Sequence, residues 1–449
     1  MTARAQWPLS AALLLLCAAI GMLAGSAPGL AIFAAVAAGF AWLVVADLTV
    51  GVCVFILVAF AERLPAAEGS DLTLVKAVGA LLAVSWLASV ATRRAGEGQI
   101  FAAHPLMMAA AALLLGWMIL SIGWAEDASV ARTYVTRYGL NFLLLPIVYS
   151  AVRKREHVVA VMGTYVGGAV VATLYAIAVV GNDPHAHGRI SGVTGTANEL
   201  ASVLVTALFL AGGLLLVTKG APIIRALLLI AIFVCLLGLF LTLSRAGLVA
   251  LAAALGAAVF VGGRRRFLVG VLVLIVSVTT IGYFSFAASK ESRERVTTFG
   301  NGTGRTDIWT VAWRMVEDHP VNGVGVGNFQ TSSIHYLLSP GAIQRDEFIV
   351  DRPQITHNSY LNVLAELGIV GGVLFGGILT AGFLAALRAA NEFRKRDNND
   401  METLARALVL ALVALFVADF FASDQLNKEL WLLLGLGPAM LGIARRERA

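Results

Sequence analysis

Apolar runs follow one another along almost the whole chain, and that succession leaves few folds open. A spanning helix takes roughly 20 mostly apolar residues. The candidates are Leu9–Gly25, Leu30–Ala46, Leu48–Ala61, Leu72–Val90, Pro105–Ile122, Leu140–Ala151, Val158–Val180 and Leu200–Val217, then Pro222–Leu241, Leu248–Val261, Phe267–Phe286, Ser359–Leu387, Leu404–Phe421 and Leu430–Ile443. The stretch Leu30–Ala61 is short for two full spans and long for one, so 12 to 14 transmembrane helices are expected. Length alone, at 449 residues, suggests about three soluble domains. Composition overrides it: 59% of residues are hydrophobic, 13% are charged and mean hydropathy is +0.84, against about 45–50% and about 25% in soluble domains. Disorder, a collagen-like chain and a disulfide scaffold are excluded. The sequence predicts an all-α polytopic membrane protein.

The net charge of +6 is distributed in short basic clusters between apolar runs, without the basic, aromatic-interleaved face of a nucleic-acid binder. Orientation follows from lysine and arginine in short loops. With the N-terminus inside, 19 basic residues fall inside and seven outside in short connections, the other seven lying in one long loop. Both termini are therefore expected to be cytoplasmic. The inside clusters include Arg93/Arg94, Arg153–Arg155, Lys219, Arg264–Arg266, Arg394–Arg396 and Arg445/Arg446. The first run resembles a signal peptide in its flanks and is read as a retained helix. Cys17, Cys53 and Cys235 are isolated within apolar runs and suggest neither a metal site nor a disulfide framework.

Three regions are expected: N-terminal transmembrane helices over 1–287, a periplasmic loop domain over 288–356, and C-terminal transmembrane helices over 357–449. The loop contains an amphipathic helix, Asp307–Glu317, with Trp309 and Trp313 on one face, followed by the Gly-rich turn Asn322–Asn328. Gly323, Gly325 and Gly327 are expected to give the loop the mobility of a lid.

Sorting polar residues by side places a particular set outside. Arg189 lies among glycines and hydroxyls before Asn198. Arg245 sits in a short turn within Leu243-Ser-Arg-Ala-Gly247. Arg305 precedes Asp307, and His357-Asn358 opens a helix. Each has a plainer reading. Arg245 fits a snorkelling residue, Arg189 a solvated loop, Arg305 an ion pair with Asp307, and Asn358 an N-cap. The Trp pair reads as packing more readily than as a sugar platform. His185 and His187 have no third ligand for a metal. Taken together, however, arginines at the mouth of a bundle gain from a bound anion, and guanidinium forks match phosphate oxygens. A nearby histidine suits proton abstraction near neutrality. Arginines plus one base, without an acidic pair or metal triad, point to a hydroxyl displacing a phosphate leaving group from a lipid-borne donor.

These residues also carry a resemblance. Arg189 with Thr194-Gly-Thr-Ala-Asn198-Glu199, Leu243-Ser-Arg245-Ala-Gly247, Gly304-Arg305-Thr-Asp307-Ile-Trp309, Asn322-Gly-Val-Gly-Val-Gly-Asn328-Phe329, and His357-Asn358-Ser-Tyr-Leu361 with Glu366-Leu-Gly368 follow one another. In that order the chain resembles the bacterial O-antigen ligase/polymerase superfamily over roughly residues 180–445. The resemblance implies a membrane-embedded, GT-C-like inverting glycosyltransferase of about 12 helices in the bacterial inner membrane, its active site facing the periplasm. It implies an undecaprenyl diphosphate-linked glycan donor, a lipid A-core acceptor, membrane lipids as surroundings, no metal and no cofactor. His357 would be the general base and Arg189 and Arg245 would bind the diphosphate, with Arg305 a third candidate; Asn198 and Asn358 are the further expected substrate contacts. O-antigen polymerase and protein O-oligosaccharyltransferase activities share this chemistry. A lipid-linked glycan transporter and an inactive scaffold are the readings from other classes.

Overall fold

The computed structural model describes residues 39, 42, 44, 46–61, 74–92, 100–180, 189–191, 196–261, 305–337 and 355–447. The expected runs Leu9–Gly25 and Phe267–Phe286, most of Leu30–Ala46, and Cys17, His185, His187, Arg93/Arg94 and Arg264–Arg266 lie outside them. All regular structure among the described residues is helical: α1 (Leu48–Ala61), α2 (Leu74–Thr92), α3 (Ile100–Ala103), α4 (Pro105–Ser121), α5 (Ala128–Ala151), α6 (Arg155–Val180) and α7 (Ala197–Val217), then α8 (Pro222–Leu241), α9 (Arg245–Val261), α10 (Arg305–Asp318), α11 (Phe329–Leu337), α12 (Ser359–Lys395), α13 (Asn399–Asp419) and α14 (Lys428–Arg446). Five of these, α6, α7, α8, α12 and α13, are long and apolar enough to cross a membrane, and α1, α2, α4 and α9 are shorter apolar helices.

Exposure shows where lipid belongs. Leu106 of α4, Ile223 and Phe233 of α8 and Phe260 of α9 are 84%, 75%, 65% and 89% exposed, a burden of apolar surface that an aqueous protein does not carry. The chain is a membrane protein. Its interior packs by close approach of small residues, as expected where lipid offers no hydrophobic contrast. At the α12–α14 contact, a Cβ on Gly437 would stand 2.6 Å from the Gly382 carbonyl oxygen, so only glycine lets the two backbones meet.

The bundle has two chemically different ends. At one, Arg155 and Lys219 both pair with Asp400 at 3.3 Å, and the Arg446 guanidinium donates to the Arg153 carbonyl. Arg394, Lys395 and Arg396 close α12 on this same basic end. The other end gathers the α4–α5 connection, the α8–α9 turn, α10, α11 and the starts of α7 and α12. This second end is called the site end below.

Several elements differ from the sequence expectation. The run expected at Leu140–Ala151 is the apolar half of α5, which begins at Ala128 because the Asp127 carboxylate accepts from the Ser129 and Val130 amides. Arg132, Thr133, Thr136 and Arg137 hid that half from a hydropathy scan. Arg245 is not in a turn but is the first residue of α9, where Ser244 caps the helix by accepting from the Gly247 amide. Arg305 likewise lies in a helix, α10.

The longest helix, α12, is broken at Gly368 (φ 63°, ψ −166°). A break inside a membrane helix leaves carbonyls without partners, and these must be satisfied by neighbouring protein. The Ala365 and Glu366 carbonyls accept from the Val324 and Gly325 amides, and the Leu367 carbonyl accepts from Trp117 Nε1. The Gly-rich turn is therefore docked into the break. A Cβ at Gly368 would lie 2.2 Å from the Val321 carbonyl oxygen, and one at Gly323 would lie 2.4 Å from that of Glu366. Residues 323–329 are buried. The expected lid hinge is instead a packed turn, its glycines required by contact and positive φ rather than by mobility.

Candidate functional site

The site end is built from four segments that bring the expected residues onto one side. Arg189 docks beside the end of α8: its Nε donates to the Thr242 carbonyl at 3.0 Å, and the Ile190 amide donates to that of Leu241. The carbonyls at a helix C-terminus carry partial negative charge and lack intrahelical donors, so an arginine is fixed there rather than merely solvated. Beyond Thr242 the chain turns through Leu243 (φ 48°) into Ser244. The Ser244 hydroxyl donates to Asn198 Oδ1 at 2.8 Å, which ties the first turn of α7 to the start of α9. Thr196 caps α7 by accepting from the Glu199 amide.

Arg245 occupies the first position of α9, and Arg305 lies in α10. A cation at a helix start opposes the helix dipole, whereas an anion beside Arg245 is favoured by both the dipole and the guanidinium. The two arginines sense each other: Arg305 is pushed below the ordinary arginine value, first by burial and then by the charge of Arg245. No ion pair of Arg305 with Asp307, nor with any other carboxylate, forms among the described residues.

His357 stands beside Arg305. Burial, then the Arg305 charge, holds its pKa below 6.5, so the imidazole is neutral at neutral pH with a lone pair available. Its backbone is left-handed (φ 50°), and both neighbours are fastened. The Thr356 carbonyl accepts from Trp309 Nε1 at 2.9 Å, and its hydroxyl bonds to Asn362 Oδ1 and Ser423 Oγ. On the other side Asn358 Oδ1 accepts from the Tyr360 and Leu361 amides, which makes it the N-cap of α12. Trp309 also packs edge-on against Phe420, ring centroids 5.5 Å apart, while Trp313 is 53% exposed.

The structure thus joins His357 to Arg305, Arg305 to Arg245, and Arg245 through Ser244 to Asn198, with Arg189 held at the carbonyl three residues before Arg245. The carboxamide oxygens of Asn198 and Asn358 are both engaged in positioning contacts. No group of three or more His, Cys, Asp or Glu among the described residues is placed to hold a metal ion. Chemically, the arrangement sets three arginines and the starts of α7, α9 and α12 at one end of the bundle, with a neutral imidazole within reach of the Arg305 charge.

Two features could not be located from the sequence, which implies a hydrophobic groove between helices for the polyprenyl chain without saying which helices form it. An apolar cleft of about 800 Å³ opens between α4 and α12, lined by residues that include Leu113, Trp117, Leu120, Ile369 and Val373. A second cavity, of about 480 Å³, lies where the α4–α5 connection meets α10 and α11. Its signal in the sequence was the polar group Trp124-Ala-Glu-Asp127 interrupting two apolar segments.

Against known proteins, residues 230–376 match a family model described as O-antigen ligase. Over 255 residues the chain is 31% identical to an O-antigen ligase of Pseudomonas aeruginosa, the match covering 56% of this chain and 56% of that protein. It thus spans little more than half the length of this curated relative. Arg245, Arg305, His357 and Asn358 lie within the family match; Arg189 and Asn198 lie before it. The chain thus carries, over residues 230–376, the segment that the O-antigen ligase family describes.

Proposed function

We propose that the protein is an inverting glycosyltransferase that ligates an undecaprenyl diphosphate-linked O-antigen glycan onto lipid A-core, in the bacterial inner membrane with the site end facing the periplasm and both termini cytoplasmic. The observation that carries this reading is a neutral, half-buried His357 within the electrostatic reach of Arg305, which in turn lies within that of Arg245, at one end of the bundle. The basic opposite end supports the orientation, since lysine and arginine favour the cytoplasmic side.

In this mechanism the donor diphosphate rests between Arg189, Arg245 and Arg305 at the N-terminus of α9. Guanidinium forks meet its oxygens, and the charge that grows on the leaving group falls where positive potential is already fixed. His357 accepts the proton of the acceptor hydroxyl as that oxygen attacks the anomeric carbon from the face opposite the diphosphate. The glycosidic bond to phosphate breaks, undecaprenyl diphosphate departs with the electron pair, and the anomeric configuration inverts. Asn198 and Asn358 serve the substrate by holding Ser244 and the start of α12, and through them Arg245 and His357. The cleft between α4 and α12 offers an apolar berth for the tail of a lipid-anchored substrate.

A first test replaces His357 by alanine in cells. Lipid A-core should stay bare while lipid-linked O-polymer accumulates, and normal O-antigen-bearing lipopolysaccharide would refute the assignment. Single repeat units on the core would instead identify a polymerase. Transfer by purified protein in detergent, with no sealed compartment, separates an enzyme from a transporter.

A further inference from the structure

The cavity of about 480 Å³ beside α10 and α11 takes no part in the chemistry just described. Its Asp318 wall is separated from Arg305 by the length of α10, about 20 Å at 1.5 Å per residue, and its Val324 wall, bonded to the Ala365 carbonyl, lies about 12 Å along α12 from His357. Its walls combine three chemistries. Two carboxylates, Glu126 and Asp318, supply acceptors; His319 and His335 supply ring nitrogens; Trp124 and Tyr336 supply aromatic surface. No lysine or arginine lines it.

The walls are held in place from several elements. Glu126 Oε1 meets His335 Nε2 at 3.0 Å, and Glu126 Oε2 accepts from Ser332 Oγ at 2.9 Å. The hydrogen bond from His335 keeps the Glu126 carboxyl below its usual value against the opposing effect of burial, with Ser332 adding to the lowering. Trp124 packs against Trp117 with ring centroids 5.5 Å apart and remains 37% exposed. Burial, then the neighbouring Asp318 carboxylate, raises the Tyr336 phenol. The loop carrying Glu126 is itself pinned, because Asn328 Oδ1 accepts from the Asp127 amide and Asn328 Nδ2 donates to the Asp127 carbonyl. A concave wall is therefore pre-formed, with the Glu126 carboxylate held by two hydrogen bonds and one aromatic face open to solvent.

Carboxylates accept hydrogen bonds from sugar hydroxyls, and aromatic faces pack against the apolar C–H face of a pyranose. Two carboxylates without a lysine or arginine repel phosphate and uronate. From this juxtaposition of Trp124, Tyr336, Glu126, Asp318 and the two histidines in one open cavity, we infer that it is a saccharide-binding subsite for uncharged or amino sugars. Its role as a glycan hold rests on the proposed glycosyl transfer: at that distance from His357 it grips sugars a few residues from the bond being made, so a long chain is retained while its reducing end reacts. The arginine cluster takes the anionic part of the donor and this cavity takes a neutral part.

The test uses the purified full chain in detergent on a printed glycan array with neutral, amino-sugar, uronate-containing and phosphorylated oligosaccharides. Neutral or amino-sugar glycans should be retained and uronates should not. Asp318→Asn and Tyr336→Phe, which preserve side-chain shape, should each lower that retention about tenfold, the loss of one charge-assisted or buried hydrogen bond; His357→Ala should leave it intact. Array binding does not depend on turnover, so a wild-type protein that retains glycans but transfers none refutes the proposed reaction and not the subsite. In the transfer assay the same two variants should raise KM for a donor bearing many repeats and leave it unchanged for a single-repeat donor. The inference is overturned by a folded wild type that retains no glycan, by a preference for uronate or phosphate, or by retention that survives both cavity variants.

Discussion

Replacing Trp309 by phenylalanine isolates a single hydrogen bond that positions the proposed base. Trp309 Nε1 donates to the Thr356 carbonyl at 2.9 Å, and Thr356 is 0% exposed, so water cannot take over the lost donor. Leaving a buried acceptor unsatisfied costs about 1–3 kcal/mol. Phenylalanine keeps an aromatic ring against Phe420, so the edge contact at 5.5 Å is largely retained. If the penalty falls on the segment 355–358, the population with His357 correctly placed drops roughly 5- to 150-fold, since 1.4 kcal/mol is a factor of ten. The turnover rate should fall by that factor, with a smaller change in donor KM. Transfer measured at saturating lipid-linked donor gives the rate. Hydrogen exchange of the Tyr360 and Leu361 amides, both bound to Asn358 Oδ1, reports the loosening directly. Trp309→Ala also removes the ring contact and should lose about 0.5–1.5 kcal/mol more. A Trp309→Phe protein with wild-type turnover and unchanged exchange would show that the bond does not position His357.

Three further outcomes are expected. Because burial and then Arg305 hold His357 below 6.5, the neutral base persists down to that depressed pKa and is lost as pH falls through it. The acid limb of the transfer profile should therefore lie below pH 6.5, and Arg305→Gln should move it upward while burial still keeps it under 6.5; a limb that stays put or moves down refutes the coupling. Arg245→Lys keeps the charge and loses the planar fork, so kcat/KM for the diphosphate-linked donor should drop roughly 100-fold, with alanine lower still, and equal activity of the lysine variant would contradict bidentate binding. Gly368→Ala sets a Cβ 2.2 Å from the Val321 carbonyl oxygen at a φ of +63°, which should destabilise by more than about 2 kcal/mol, visible as lost monodisperse protein on size-exclusion chromatography and a lower melting temperature.

The parts of the fold that hydropathy could read are those whose side chains face lipid or apolar neighbours. Pro222–Leu241 begins and ends where the apolar run does. Where a helix carries polar residues near an end the signal fails, and α5 shows how: its first 12 residues include Arg132, Thr133, Thr136 and Arg137, so local composition reads as loop while capping and packing make helix. The break at Gly368 was illegible for a different reason. Its cause is the Gly-rich turn some 40 residues earlier in the chain, a partner no local window contains. At the candidate site, residue types and their shared side were legible in the motifs. The division of labour was legible only in part: the cap reading of Asn358 stood beside a substrate role and the structure spends its oxygen on two helix amides, whereas nothing in the sequence pointed the Asn198 oxygen at Ser244. The saccharide cavity was missed because Glu126, Asp318 and His335 are distant in sequence and only tertiary packing assembles them.

Strain and charge are concentrated where the chemistry is proposed. Among the described residues three non-glycine positions have positive φ: Leu243, His357 and Asp397. Two of them adjoin the site, one leading into Arg245 and one bearing the imidazole. Each such residue costs of order 1–3 kcal/mol and persists only where surrounding structure over-determines it. Here that structure is visible. Leu243 is held between the Phe240 carbonyl and the Ser244 cap, and His357 lies between the Trp309-bound Thr356 and the capping Asn358. The same end carries Arg245 at the start of α9, where the dipole disfavours cations. A chain selected only to fold has cheaper solutions at all three positions: glycine at the two left-handed residues, an acid at the helix start. Retaining a buried leucine, an imidazole and a guanidinium group there is intelligible if an anion completes the site. The unfavourable terms then turn into binding energy when a diphosphate arrives.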